Sequence, residues 1–91
     1  MAKVVVTLKI MPDSPKVNLD DLQKNVLKKI KDAIGDTETK TEREAIGFGL
    51  NALKILFVME ENKSVEVIEE SVRKLRNVQS VDVIDVRRAI G

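Results

Sequence analysis

Leu50–Glu60 reads LNALKILFVME. Side chains of an extended chain alternate between two faces. Leu53, Ile55, Phe57 and Met59 therefore fall on one side, and Ala52, Lys54, Leu56 and Val58 on the other. A run this apolar on both sides, with no Pro or Gly inside it, predicts a central strand. Immediately upstream, Ala45–Gly49 (AIGFG) is short and flanked by glycine, and Asp36–Glu44 is polar enough for a loop followed by an edge strand. Downstream, Glu61-Asn62-Lys63 reads as a turn and Ser64 as a helix cap. Val65, Ile68, Val72 and Leu75 then recur at steps of three and four, the spacing of a helix with one buried face. Glu69 with Arg73 and Glu70 with Lys74 stand four apart, acid first, which supports that helix. Val78–Arg88 closes the pattern as a last strand carrying Val81, Val83, Ile84 and Val86.

The front of the chain mirrors this order. From Lys3 to Met11, Val4, Val6, Leu8 and Ile10 alternate with Val5, Thr7 and Lys9, a strand signature. Pro12-Asp13-Ser14-Pro15 ends it, since proline has no N–H to give to a ladder. Asn18 is placed to cap a helix whose apolar stripe is Leu19, Leu22, Val26, Ile30, Ala33 and Ile34. Asp20 and Asp21 in its first turn, and Lys28, Lys29 and Lys31 toward its end, complement the helix dipole. Gly35 suits the position just past its C-terminus. The sequence thus predicts an α+β, ferredoxin-like βαββαβ sandwich over residues 1–91, with two helices on one face of a four-stranded antiparallel sheet.

Composition narrows the function. The 91 residues include 16 Lys and Arg against 15 Asp and Glu, a net charge of +1, so no general attraction to nucleic acid or anionic membrane is expected. Cys and His are absent, which removes disulfides, thiolate nucleophiles, the usual zinc sites and imidazole catalysis. The apolar run after Met1 is too short for a signal-peptide core, and no stretch approaches membrane-spanning length. A soluble cytoplasmic protein is the expectation. Ser14, Ser64, Ser71 and Ser80 have no histidine to activate them, and the acids mostly pair with bases along helix faces. Asp82 and Asp85, three apart on a strand, are expected on opposite faces, which argues against a shared metal. No glycine-rich phosphate loop is present. Catalytic residues, metal ligands and cofactors are therefore all expected to be absent.

Two features stand out from this background. Phe48 is one of only two aromatics and sits between Gly47 and Gly49, whose backbone freedom permits unusual angles. Either it folds back as a core plug beside a bulge, or it projects as an aromatic anchor for a partner. Arg87 and Arg88 point to opposite faces of the last strand, where they serve either as a charged edge that blocks aggregation or as cations that reach into another molecule. Ferredoxin-like folds also include RNA-recognition modules, yet Ile46–Leu53 matches only the Gly-Phe-Gly part of their strand motif. Ile46 replaces its cation, and Leu50 and Leu53 replace its stacking rings. A ferredoxin-like regulatory module that binds a small ligand is the other alternative.

VVVTLKIMPDSP (Val4–Pro15), AIGFGLNALKI (Ala45–Ile55) and VQSVDVIDVRR (Val78–Arg88), in this order, resemble the archaeal elongation factor 1-beta family over essentially the full chain. They are also similar to the exchange domain of the eukaryotic counterpart. The resemblance implies a ferredoxin-like fold and promotion of GDP-for-GTP exchange on the GTPase elongation factor 1-alpha, in its GDP-bound or nucleotide-free form. It implies no covalent chemistry, no direct nucleic-acid contact and no membrane contact. In the eukaryotic relatives an aromatic in the Gly-aromatic-Gly segment docks on the GTPase, and Phe48 holds that position. A penultimate lysine there intrudes near the magnesium and phosphate site. Aligned from Val78, that place falls on Arg88, with Arg87 beside it, and an arginine stands where the family pattern has lysine.

Overall fold

The computed structural model describes residues 2–89, so Met1, Ile90 and Gly91 lie outside the described residues. The elements run β1 (Lys3–Pro12), α1 (Leu19–Ile34), β2 (Thr39–Gly47), β3 (Leu50–Glu60), α2 (Val65–Arg73) and β4 (Val78–Arg88). The four strands form one sheet in the order β2-β3-β1-β4, and every pairing is antiparallel. This is the expected ferredoxin-like arrangement. β3 lies between β2 and β1, so both of its hydrogen-bonding edges are paired, while only the Leu53, Ile55, Phe57 and Met59 face is covered by helices.

One side of the sheet is covered by the helices. Val6, Leu8 and Ile10 of β1, Leu53, Ile55, Phe57 and Met59 of β3, and Val81 of β4 pack there against Leu22, Val26 and Ile30 of α1 and Ile68 and Val72 of α2. The alternation forces this: directly paired residues such as Val6 and Phe57, or Leu8 and Ile55, share a face. Asn18 caps α1 as expected, its side-chain oxygen accepting from the Asp21 N–H at 3.2 Å. Gly35 ends the helix at φ 82°, its N–H donating to the Lys31 carbonyl at 2.8 Å. Ser64 occupies the N-cap of α2 but makes no side-chain capping bond. Glu70 pairs with Arg73 at 2.7 Å rather than with Lys74, while Glu69 pairs with Arg73 as expected. Ala33, assigned to the apolar stripe of α1, is exposed, and Leu27 packs against the core instead.

Among the described residues, the other side of the sheet carries no helix. Val5, Thr7 and Lys9 stand on it beside Val58, Leu56 and Lys54. Asp82 and Asp85 do not fall on opposite faces as unbroken alternation predicts. Thr7 pairs with Asp85 but Leu8 pairs with Val83, so Ile84 is an extra residue in β4. Such a bulge resets the alternation, and both aspartates come to the bare face, one opposite Lys9 and one opposite Thr7. Even so, among the described residues no group of three Asp, Glu, His or Cys is placed to hold a metal ion.

The pairing registers give the molecule two distinct ends. The β2–β3 hairpin, the β1–α1 loop and the α2–β4 loop gather at one end, where the Asp13 N–H donates to the Asn77 carbonyl at 3.0 Å. At the other, Val4 pairs with Arg88 and Lys3 with Glu60, and the Ala89 N–H donates to the Lys3 carbonyl at 2.8 Å. The longest dimension of the molecule is 42 Å.

Candidate functional site

Gly47 pairs with Leu50, which leaves Phe48 and Gly49 as a two-residue hairpin loop. Their φ angles are 55° and 76°, and that of Gly47 is 119°. Positive φ at both central residues is what the type I′ turn requires, because its twist matches that of the flanking strands. Glycine meets that requirement without strain, but phenylalanine does not: the left-handed region brings its Cβ close to the following carbonyl, at about 1–2 kcal/mol. Such turns strongly favour Asn, Asp or Gly at the place Phe48 holds. A shift of register between Ala45 and Gly47 leaves Ile46 unpaired just before the turn.

Phe48 is also 100% exposed. Of the two readings left open by the sequence, the core plug is excluded: Phe57 fills that role at 1% exposure, and Phe48 projects from the hairpin tip. The strained backbone costs stability, and the ring held wholly in water gains none within the chain. Outliers of this kind concentrate at binding and active sites.

Arg87 and Arg88 lie at the opposite end of the sheet. About ten residues of β3 separate the two ends, roughly 34 Å at a strand's rise per residue. Arg88, opposite Val4, faces the helix side, and its Nη2 stands 3.1 and 3.3 Å from the two carboxylate oxygens of Glu61. Arg87, opposite Val5, faces the bare side, and its Nε stands 2.8 Å from Asp85. Both guanidinium groups are largely exposed. Gly47, Phe48 and Gly49 thus form one feature and the two arginines another, and the fold does not bring the two together.

Between them, on the bare face, sits a group the sequence reading missed. The Glu44 carboxylate bridges Lys54 on β3 and Lys9 on β1, the latter at 3.4 Å. The hydrogen bond from Lys54, then that from Lys9, holds the Glu44 carboxyl below its ordinary range, and the same Glu44 contact raises the Lys54 ammonium. Glu44 and Lys54 are ten residues apart and Lys9 is remote from both in sequence, so only the strand registers reveal the trio. Thr7, also on this face, is 8% exposed.

Neither aromatic stands on the bare face, so a base has no ring to stack on there. No helix among the described residues is long and apolar enough to cross a membrane. An exposed ring stands at one end of the sheet and a pair of arginines at the other. The EF-1 guanine nucleotide exchange domain family matches residues 5–89. This chain belongs to that family. Elongation factor 1-beta of Methanosphaera stadtmanae is 42% identical to it over 89 residues, covering 97% of this chain and 98% of the relative. Elongation factor 1-beta of Methanobrevibacter smithii is 43% identical over the same shares. Elongation factor 1-beta of Pyrococcus abyssi is 39% identical, covering 93% of each chain. Among solved structures, the de novo designed protein Foldit4 superposes with a TM-score of 0.64 over 98% of both chains, at 20% identity, a likeness of fold alone. As a member of the EF-1 exchange family, the chain is a guanine-nucleotide exchange domain of translation elongation.

Proposed function

We propose that the chain promotes release of GDP from elongation factor 1-alpha by docking Phe48 on the GTPase while an arginine from the end of β4 disturbs its magnesium and phosphate site. In this reading residues 1–91 work as one exchange domain, cytoplasmic, with no cofactor and no covalent step. The observation that carries the proposal is the state of Phe48: fully exposed, at φ 55°, at the tip of a hairpin that would be less strained with another residue.

GDP is held in such GTPases by backbone N–H groups, a lysine and Mg²⁺ around the phosphates. An exchange factor accelerates release only by binding the emptied pocket better than the filled one. The two contacts divide that work. Burying the free ring of Phe48 supplies affinity of about 1.5–3 kcal/mol. It supplies no discrimination between nucleotide states unless the far end of the domain also engages. A guanidinium brought near the ion does discriminate. It repels Mg²⁺ or competes for its carboxylate ligand, and the ion is the largest local charge in the site. The length of the sheet lets one rigid body make both contacts at once, so that docking at the ring fixes where the cation lands. GTP then fills the pocket by mass action.

Linkage gives a direct test. Whatever factor the chain applies to weaken GDP, GDP must apply equally to weaken the chain. Calorimetric titration into nucleotide-free and into GDP-loaded elongation factor 1-alpha should show tighter binding to the former, by the same ratio as the drop in GDP affinity. Equal affinities for the two forms would end the proposal.

A further inference from the structure

We propose that the outer edge of β2, with the lysine row of α1 beside it, receives an extended acidic segment of a partner protein as a further strand of the sheet. The site uses neither the ring of Phe48 nor the arginines of β4, and it does not depend on the exchange reading above.

β2 is an edge strand, so one side of its backbone has no strand to pair with. Such an edge is a template for another chain unless something blunts it. β4, the opposite edge, is blunted by the bulge at Ile84. β2 has no such break from Thr39 to Ala45, where each residue pairs in order with β3. It contains no proline, and the Thr37 hydroxyl fixes its start by donating to the Val58 carbonyl at 2.6 Å. Among the described residues, β2 gives none to the core. A groove of about 160 Å³ lies instead between Leu27 and Lys31 of α1 and Thr39 of β2.

The ion pair of Asp20 with Arg43 shows which row of α1 faces β2. Lys24, Leu27 and Lys31 follow Asp20 at steps of four, three and four, so they continue that row, and Lys28 flanks it. On the same side β2 shows Thr39, Thr41 and Arg43, because their partners Phe57, Ile55 and Leu53 face the helices. Lys24, Lys28, Lys31 and Arg43 thus line the groove against two acids. Asp20 is taken by Arg43 and Asp36 by Lys31, while Lys24 and Lys28 have no acid partner among the described residues. The groove is left with an excess of positive charge.

A strand added to β2 points every second side chain toward this row. Lys24 and Lys31 stand about 10 Å apart along the helix, within reach of acids at alternate positions of that strand. A second copy of the chain fits poorly. Its own β2 would bring Thr39, Thr41 and Arg43 to that side, and the two lysine rows would face each other. RNA phosphates would answer the lysines but leave the backbone edge unpaired. No ring lines the groove for a base to stack on, since Phe57 is buried and Phe48 projects from the hairpin tip.

The test titrates the full chain, at low salt, into fluorescein-labelled decapeptides read by anisotropy. The peptides alternate Thr with Glu, alternate Thr with Gln, or repeat the Thr-Glu sequence with methylated backbone amides. The Thr-Glu peptide should bind at least about tenfold tighter than the Thr-Gln peptide, and amide methylation should cost at least about tenfold. Lys24→Gln combined with Lys31→Gln should weaken the Thr-Glu peptide at least about fivefold. Lys40→Gln, on the bare side opposite Leu56, should stay within about twofold of wild type. Circular dichroism of each variant should match wild type. Equal affinity for the Thr-Glu and Thr-Gln peptides overturns the proposal, and so does undiminished binding of the methylated peptide. Oligouridylate binding that the lysine variant abolishes, with no peptide bound, would give the row to RNA instead. A chain that sediments as a dimer and binds no peptide would give the edge to a second copy.

Discussion

Replacing Phe48 with asparagine should stabilise the free protein and cripple its docking. The gain comes from the turn. Phe48 holds φ 55° with its ring fully in water, so its removal forfeits no packing. The left-handed conformation costs a β-carbon-bearing residue about 1–2 kcal/mol, and asparagine escapes much of that by bonding locally. Asn-Gly is moreover a preferred pair for a two-residue hairpin. A gain of about 1 kcal/mol raises Tm by roughly 4–8 °C in a domain of this size. The loss comes from the interface: burying a free phenyl ring is worth about 1.5–3 kcal/mol, which converts to a roughly ten- to hundredfold weaker half-saturation of exchange. Thermal melts followed by circular dichroism, together with GDP release measured against factor concentration, read both effects. Phe48→Ala is the companion, because it removes the ring but keeps the strain, and its Tm should stay within a few degrees of wild type while docking weakens equally. A fall in Tm of several degrees for Phe48→Asn would mean that the ring packs on the protein after all. An unchanged half-saturation would remove it from the interface.

Other consequences are local. Asn18→Ala deletes the bond to the Asp21 N–H and should cost about 1 kcal/mol, seen as a lower urea midpoint. Exchange measured well below that midpoint should not change. The Glu44 carboxyl is held below 4.5 in the folded state by Lys54 and Lys9. Its stabilisation is therefore complete above that value and disappears as the pH falls through the lower, folded one. Urea midpoints taken from pH 7 to pH 3 should fall less steeply on the acid side for Glu44→Gln than for wild type, and parallel curves would show that the trio contributes nothing to the acid limb.

How much of this was legible in the sequence depends on how local each cause is. The bounds of β3 and β4 follow from period-two alternation and turn residues, and the cap at Asn18 from one side chain and the helix it precedes. The position of Phe57 in the core follows from its phase with Leu53 and Ile55. The orientation of Phe48 did not follow, because Gly-Phe-Gly permits both a buried bulge and a projecting turn. Only the pairing of Gly47 with Leu50 decides between them. Unbroken alternation puts Asp82 and Asp85 on opposite faces, and the extra residue Ile84 that brings them together has no signature of its own. The bridge from Glu44 to Lys9 and Lys54 joins three strands, and no spacing in a linear chain announces it. The split between Arg87 and Arg88 was legible as a matter of faces. Which face is covered, and that Glu61 waits on the covered one, required the fold.

The proposed role of this small domain is to empty a neighbour's nucleotide pocket. Elongation factor 1-alpha loaded with fluorescent GDP, chased with excess unlabelled nucleotide in the stopped flow, reports the off-rate directly. With the chain at saturating concentration that rate should rise by at least about tenfold, the effect of some 1.4 kcal/mol at the barrier. An off-rate identical with and without the chain would contradict the account.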